Sequence, residues 1–174
     1  HELRRPPMSY GGTSTSKVPS LSAFVPGLTE GSLSTRPIGK QVIVTTPLAP
    51  PTTAGILVDG TTYAAVGFIA PVNGCFIHSM WLSGTVAIAG GTNTFAADNY
   101  DASGNAARNV LSTTTIDPTG VTALEGLELT LRTTIANRMM DEGDVLNYTL
   151  VCGTMTTDGK GYAVTAVIVV PDVA

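Results

Sequence analysis

Segments in which apolar and polar residues alternate are the feature that most constrains the fold of this chain. The segment LELTLRTTI, residues 127–135, has an apolar face made of Leu127, Leu129, Leu131 and Ile135. A period of two over nine residues is typical of an antiparallel strand that buries one face. DVLNYTLVCG repeats the pattern, with Val145 and Val151 on one face and Leu146, Tyr148, Leu150 and Cys152 on the other. These segments predict antiparallel β-structure.

Turn residues separate further β-like segments at intervals typical of an all-β sandwich or barrel. We predict strands near residues 55–58, 63–70, 75–82, 86–89, 92–99, 110–115, 127–135, 144–153 and 162–170, and a β-branched run at 41–46. YAVTAVIVV is apolar on both faces, which favours a central strand or one covered by a neighbouring subunit. Short helical turns are predicted at 105–109 and 135–140. The expected fold is all-β, a jelly-roll-like β-sandwich, with other sandwich topologies still open.

Residues 1–50 are predicted to form an extended amino-terminal arm with little regular structure, before a body at 51–174. More than half of the positions in 9–41 are Gly, Pro, Ser or Thr, and neither helical nor strand periodicity is present. Apolar residues spaced along this arm need a partner in order to be buried, for example by strand addition to an exposed sheet edge. The candidate residues for binding a neighbouring protein are Arg4, Arg5, Tyr10, Lys17, Val18, Leu21, Phe24, Val25, Leu28, Leu33, Arg36, Ile38 and Lys40.

Charge is scarce and unevenly distributed. Charged residues make up 13% of the 174 residues, and the net charge is −4. Residues 1–40 hold five cations and two acids, whereas residues 41–174 hold four cations and eleven acids. The arm is therefore expected to dock on the acidic body of its own or a neighbouring copy. Nucleic-acid binding is not expected, because the cations are scattered and the body would repel phosphate. No segment approaches the ~20 apolar residues of a membrane span.

Two acidic loops are candidate sites for chemistry. In DNYDASGN, residues 98–105, Asp98 and Asp101 are possible calcium ligands, but the spacing of a calcium loop is missing and the composition favours a turn. In DEGD, residues 141–144, the carboxylates could bind a metal or act as an acid–base pair, as in glycan hydrolysis. The more common arrangement is a turn with positive φ at Gly143 that leaves the acids in water.

The remaining reactive residues predict packing. Strand alternation places His78 on the face of Phe76 and Met80, where a histidine is usually a core or interface residue. Cys75 and Cys152 lie in apolar runs and are expected to be buried small hydrophobes rather than a disulfide scaffold. We therefore expect no enzyme activity, no metal and no cofactor.

The carboxyl-terminal two-thirds also resembles a known group of proteins. The succession GFIAPVNGCFIHSMWLSG, GGTNTFAADNYDASGN, LELTLRTTI, DEGDVLNYTLVCGT and KGYAVTAVIVVPD resembles capsid decoration, or cement, proteins of tailed bacteriophages. The resemblance covers about residues 63–172. It implies a structural protein on the capsid exterior that binds the major capsid protein, forms a homotrimer and extends a terminal segment onto neighbours. The alternative is a phage fibre or head-fibre module that binds host-surface glycans.

Overall fold

Two antiparallel sheets form the part of the chain that the computed structural model describes, residues 39–49, 54–104 and 107–172. The strands are β1 (Lys40–Pro47), β2 (Thr62–Ile69), β3 (Cys75–Ser83), β4 (Thr94–Tyr100), β5 (Ala107–Asn109), β6 (Gly126–Glu128), β7 (Met139–Met140), β8 (Val145–Val151) and β9 (Ala163–Val170). A single helical turn, α1 (Ile135–Arg138), and a 3-10 turn at Pro118–Gly120 interrupt them.

The strand order is that of a jelly roll. One sheet has the order β1-β9-β3-β6, with β7 also paired to β3, and the other has the order β2-β8-β4-β5. The first strand thus pairs with the last, β2 with β8, β3 with β6 and β4 with β5, as in the two Greek keys of this fold. The predicted all-β, jelly-roll-like sandwich is confirmed.

The core lies between the sheets and follows the predicted alternation in the long strands. In β8, Leu146, Tyr148 and Leu150 are fully buried, and in β9 the same holds for Val164 and Ile168. β9 has β1 on one side and β3 on the other. The prediction of a central strand at YAVTAVIVV is therefore confirmed. Because the strand is apolar on both faces, some of its apolar side chains point away from the core.

The body begins earlier than the predicted division at residue 50. β1 pairs with β9 over its whole length, from Lys40 opposite Val170 to Pro47 opposite Ala163. The segment is ordered by a full ladder, and Pro47 is tolerated because β1 is an edge strand. Of the candidate arm residues, Lys40 is the exposed first residue of β1, and the other twelve lie outside the described residues.

Several predicted strands are shorter than expected. At 127–135 only Gly126–Glu128 is a strand; Leu129 remains buried, but Ile135 is exposed and begins α1. The alternation is correct for Leu127, Leu129 and Leu131, which are buried or partly buried, and wrong for Ile135. After Leu129 the backbone changes partner, since Thr130 accepts from the amide of Ser112 and Arg132 donates to the carbonyl of Val110. The predictions at 55–58, 86–89 and 110–115 correspond only to isolated bridges. The helical turn predicted at 135–140 is observed as α1, but the one at 105–109 is wrong for Ala107–Asn109, which forms β5.

A β-bulge at His78 overturns the predicted side of this residue. The register of β3 on β9 shifts between Ile77 and Ser79. An inserted residue reverses the alternation, so Ile77 before the bulge and Met80 after it both face the core, whereas Phe76 belongs to a separate small cluster. His78 therefore does not share a face with Met80.

Both cysteines pack in the core. Cys75 and Cys152 are free and buried, which confirms the expectation of small buried hydrophobes. Burial raises the pKa of both thiols, that of Cys152 to about 11. The thiols therefore stay protonated at neutral pH and act as apolar packing groups.

Candidate interaction surfaces

The outer face of the first sheet, named here the Trp81 face, is nearly free of charge. The strand register gives its outward rows as Gln41, Ile43, Thr45, Pro47, Phe76, Ser79, Trp81, Ser83, Gly126, Glu128, Ala163, Thr165, Val167 and Val169. Glu128 is the only charged side chain among them. Ile43 is 69% exposed, and Val167 and Trp81 are partly exposed. This face is therefore an almost uncharged surface on which apolar side chains are interspersed with threonine and serine.

One end of the Trp81 face is covered by the segment that contains α1 and β7. The guanidinium carbon of Arg138 lies 4.6 Å from the centre of the Phe76 ring. Its Nε donates to the carbonyl of Ile77 (2.9 Å) and its Nη2 to that of His78 (2.6 Å). Arg138 is only 6% exposed, and burial lowers its pKa. The arginine thus satisfies carbonyls at the bulge while it shields Phe76.

A polar groove adjoins the uncovered part of this face. Its volume is about 330 Å³, and its lining residues are His78, Ser79, Glu128, Leu129, Thr130, Leu131, Thr133 and Arg138. Nδ1 of His78 lies 3.0 Å from Oγ of Ser79. Because Ser79 and Glu128 belong to both the groove and the Trp81 face, the two form one continuous surface. The groove is large enough for a side chain or a short extended segment.

The outer face of the second sheet, named here the Val66 face, is also poor in charge. Its outward rows are Thr62, Ala64, Val66, Ile69, Thr94, Ala96, Asp98, Tyr100, Ala107, Asn109, Val145, Asn147, Thr149 and Val151. Val66 and Ile69 are 56% and 59% exposed. Asp98 is its only carboxylate; burial raises the pKa of Asp98, and a hydrogen bond from Asn109 partly opposes that shift.

The acidic loop at 98–105 forms a turn at its described end. β4 continues through Asp98 to Tyr100, so the loop is shorter than predicted. Oγ of Ser103 donates to Oδ1 of Asp101 (2.7 Å), and the amide of Gly104 donates to the carbonyl of Asp101 (2.8 Å). Among the described residues no group of three or more His, Cys, Asp or Glu side chains is placed to hold a metal ion.

The second acidic loop, at 141–144, is only partly as predicted. Gly143 has the expected positive φ, +85°, and Asp141 and Glu142 are exposed. Asp144 is instead buried: its Oδ2 accepts from Nη2 of Arg108 at 3.0 Å and from the amide of Asp141 at 3.0 Å. The expectation that all three acids lie in water is wrong for Asp144. No sequence signal links it to Arg108, because β4 lies between β5 and β8 and only the fold lets the Arg108 side chain reach Asp144.

The comparisons with known proteins add no relative. No protein-family model matches the chain, and no curated protein matches it in sequence. In the part of the chain that the structure describes, no helix is long and apolar enough to cross a membrane. The similarity to decoration proteins therefore remains a prediction from short sequence motifs.

Proposed function

We propose that this chain is a structural virion protein that decorates the outer surface of a phage head. In this proposal it binds the major capsid protein, assembles as a homotrimer through its body, and stabilises the shell with the help of its amino-terminal arm. The supporting observation is the near absence of charge from both outer faces of the sandwich. Across the nine strands, charged side chains occur only at Lys40, Asp98, Arg108 and Glu128.

A surface of this kind is suited to burial against other proteins. Contiguous exposed apolar area on a sheet face marks interaction sites, and the centres of protein interfaces are depleted of charged residues. The most exposed large apolar residues of these faces are Ile43 on the Trp81 face and Val66 and Ile69 on the Val66 face. The buried charged groups, Arg138 and Asp144, hold backbone and loop structure in place. The geometry therefore favours assembly over catalysis.

The proposal is tested with shells of the virus that encodes the chain, prepared without this protein. We expect the full chain to co-sediment with the shells and to raise the temperature at which they release DNA. Val66→Lys/Ile69→Lys should weaken this binding, because charged side chains at the centre of an interface must be desolvated. Thr122→Lys/Ala123→Lys, at exposed loop positions outside both faces, adds the same charge and is the matched control. Absence of co-sedimentation by the unsubstituted chain would overturn the proposal.

A glycan-binding fibre module is the second candidate function, and the groove at the Trp81 face favours it. The groove presents hydroxyl groups from Ser79, Thr130 and Thr133 together with Glu128, beside a partly exposed indole. Polar groups next to an aromatic surface are a common arrangement for binding a sugar. A glycan array probed with the full chain should give signals that Trp81→Ala abolishes, and a silent array would count against this function.

A further inference from the structure

We propose that residues 1–38 fold back over the Trp81 face of their own chain and bury Ile43, Val167 and Trp81 in the free protein. This inference does not depend on a role in a virion. It rests on the point where the arm joins the body, on the part of the face that is left uncovered, and on the residues that the arm carries.

The chain enters β1 against the end of the central strand. Gly39 packs so closely on the backbone of Val170 and Pro171 that a methyl group at this position would overlap the carbonyl of Val170. Lys40, the next residue, is already paired with Val170. The described chain therefore begins beside β9, at the border of the Trp81 face, in the first sheet rather than the second.

The fold already covers part of this face with a chain segment. Arg138 and Met139 cover Phe76 and Val169, which are 2% and 7% exposed. The apolar residues farther along the same rows have no such cover within the described residues, and Ile43 stands out most. An arm that is joined to β1 could cover the part of the Trp81 face that the segment around α1 leaves exposed.

The arm has enough length and suitable residues to do so. β3 lies two strand spacings from β1, about 10 Å, whereas 38 extended residues reach roughly 120 Å. Its apolar residues include Val18, Leu21, Phe24, Val25, Leu28, Leu33 and Ile38. Their spacing by Gly, Pro, Ser and Thr permits the turns that are needed to recross a narrow sheet.

Charge and tethering favour the arm of the same chain. Residues 1–38 hold four cations and two acids, and the only charge on the Trp81 face is Glu128, at the mouth of the groove. Docking therefore brings opposite charges together. A segment joined directly to the edge of its binding surface has an effective concentration of order millimolar, which exceeds that of any second copy in dilute solution.

Trp81 provides the test, because it is the only tryptophan of the chain. Leu21→Asp/Phe24→Asp/Leu28→Asp in the full chain should release the arm, shift the emission of Trp81 to longer wavelength and raise its quenching by acrylamide. Ser20→Asp/Ser22→Asp/Thr29→Asp adds the same charge at neighbouring polar positions and should leave both readings unchanged. All six positions lie outside the described body, so far-ultraviolet circular dichroism should show the same strand content in each variant.

Two outcomes would overturn the inference. If the apolar-to-Asp variant and the original chain show equal quenching at every concentration, the arm does not cover Trp81. If a Trp81→Phe chain with an intact arm restores protection when it is mixed with the Asp variant, the cover comes from another copy. Binding to shells is measured separately, so failure here leaves the proposed function standing.

Discussion

Replacing Gly67 by alanine tests the packing that holds the two sheets together. Gly67 lies in β2 where its pairing with β8 shifts, between Val66 and Phe68. A methyl group there would overlap the ring of Tyr148 and come within 2.6 Å of its hydroxyl oxygen. The ring is fully buried between the sheets. It cannot swing into solvent, so the backbone of β2 or the ring itself must move.

The expected cost follows from two opposing contributions. Forcing extra volume into a packed core destabilises by about 1–3 kcal/mol. Alanine in place of glycine lowers the entropy of the unfolded chain and returns about 0.4–1 kcal/mol. The net loss for Gly67→Ala is therefore about 1–2 kcal/mol. In a protein of this size each kcal/mol lowers the melting temperature by roughly 2–4 °C.

Calorimetry of the full chain measures this loss, and Gly126→Ala is the matched control. Gly126 is also in a strand, but a methyl group there would lie 3.7 Å from the Trp81 ring, an ordinary contact. We expect Gly126→Ala to leave the melting temperature unchanged or to raise it slightly, because only the entropic term applies. Equal melting temperatures for the two variants would refute the argument that Gly67 makes room for Tyr148.

Three further predictions concern polar groups. Tyr148→Phe should stabilise the protein by about 1 kcal/mol in chemical denaturation, because the buried hydroxyl has no hydrogen-bond partner in the described structure and its desolvation is uncompensated. A loss of stability would show instead that the hydroxyl makes a hydrogen bond. Asp98→Asn should stabilise the protein at neutral pH but not near pH 3. Burial raises the pKa of Asp98, so the protonated carboxyl contributes fully to folding stability at low pH, and this stability is lost as pH rises through the raised pKa. A stability difference between variant and original chain that does not change with pH would contradict this. Arg138→Met should lower the free energy of unfolding by about 2–4 kcal/mol in the same assay, because the carbonyls of Ile77 and His78 lose a charged donor. Arg138→Lys should lose less stability, because lysine keeps a charged donor. Equal losses in the two variants would argue against a role for these hydrogen bonds.

The long strands were predictable because their side chains report their environment directly. In β8, which has a neighbouring strand on each side, alternation in sequence and alternation in burial coincide. In β9 the continuous apolar run predicted a central strand, and β9 lies between β1 and β3. The segment after β6 shows the limit of this signal. Leu129 and Leu131 alternate with polar residues and pack on the core, but only Leu129 still bonds to β3, through Met80, whereas Leu131 pairs with Leu111. Hydrophobic period reports which side chains are buried, and hydrogen-bonding partners are decided by the rest of the fold.

The candidate surfaces were less predictable for a related reason. The bulge at His78 is a single inserted residue without a characteristic composition, and it reverses the face of every later residue of β3. A strict period of two would place Met80 on the outer face and Trp81 on the core face, the reverse of what is observed. The outward position of Trp81 could therefore not be predicted from the sequence alone. The pairing of Arg108 with Asp144 depends on strand order in the same way.

The position of the charges indicates how the body can associate. Within the described residues most acids lie in turns between strands, as at Asp59, Asp117, Asp141 and Asp158, so they surround the sheets and leave the faces neutral. Repulsion between acidic copies is then weakest when two bodies approach through a sheet face, because the like charges stay at the rim and in water. An amino-terminal arm of opposite charge that covers one face would leave the Val66 face as the open surface. Which face is covered therefore determines through which one a second protein can bind.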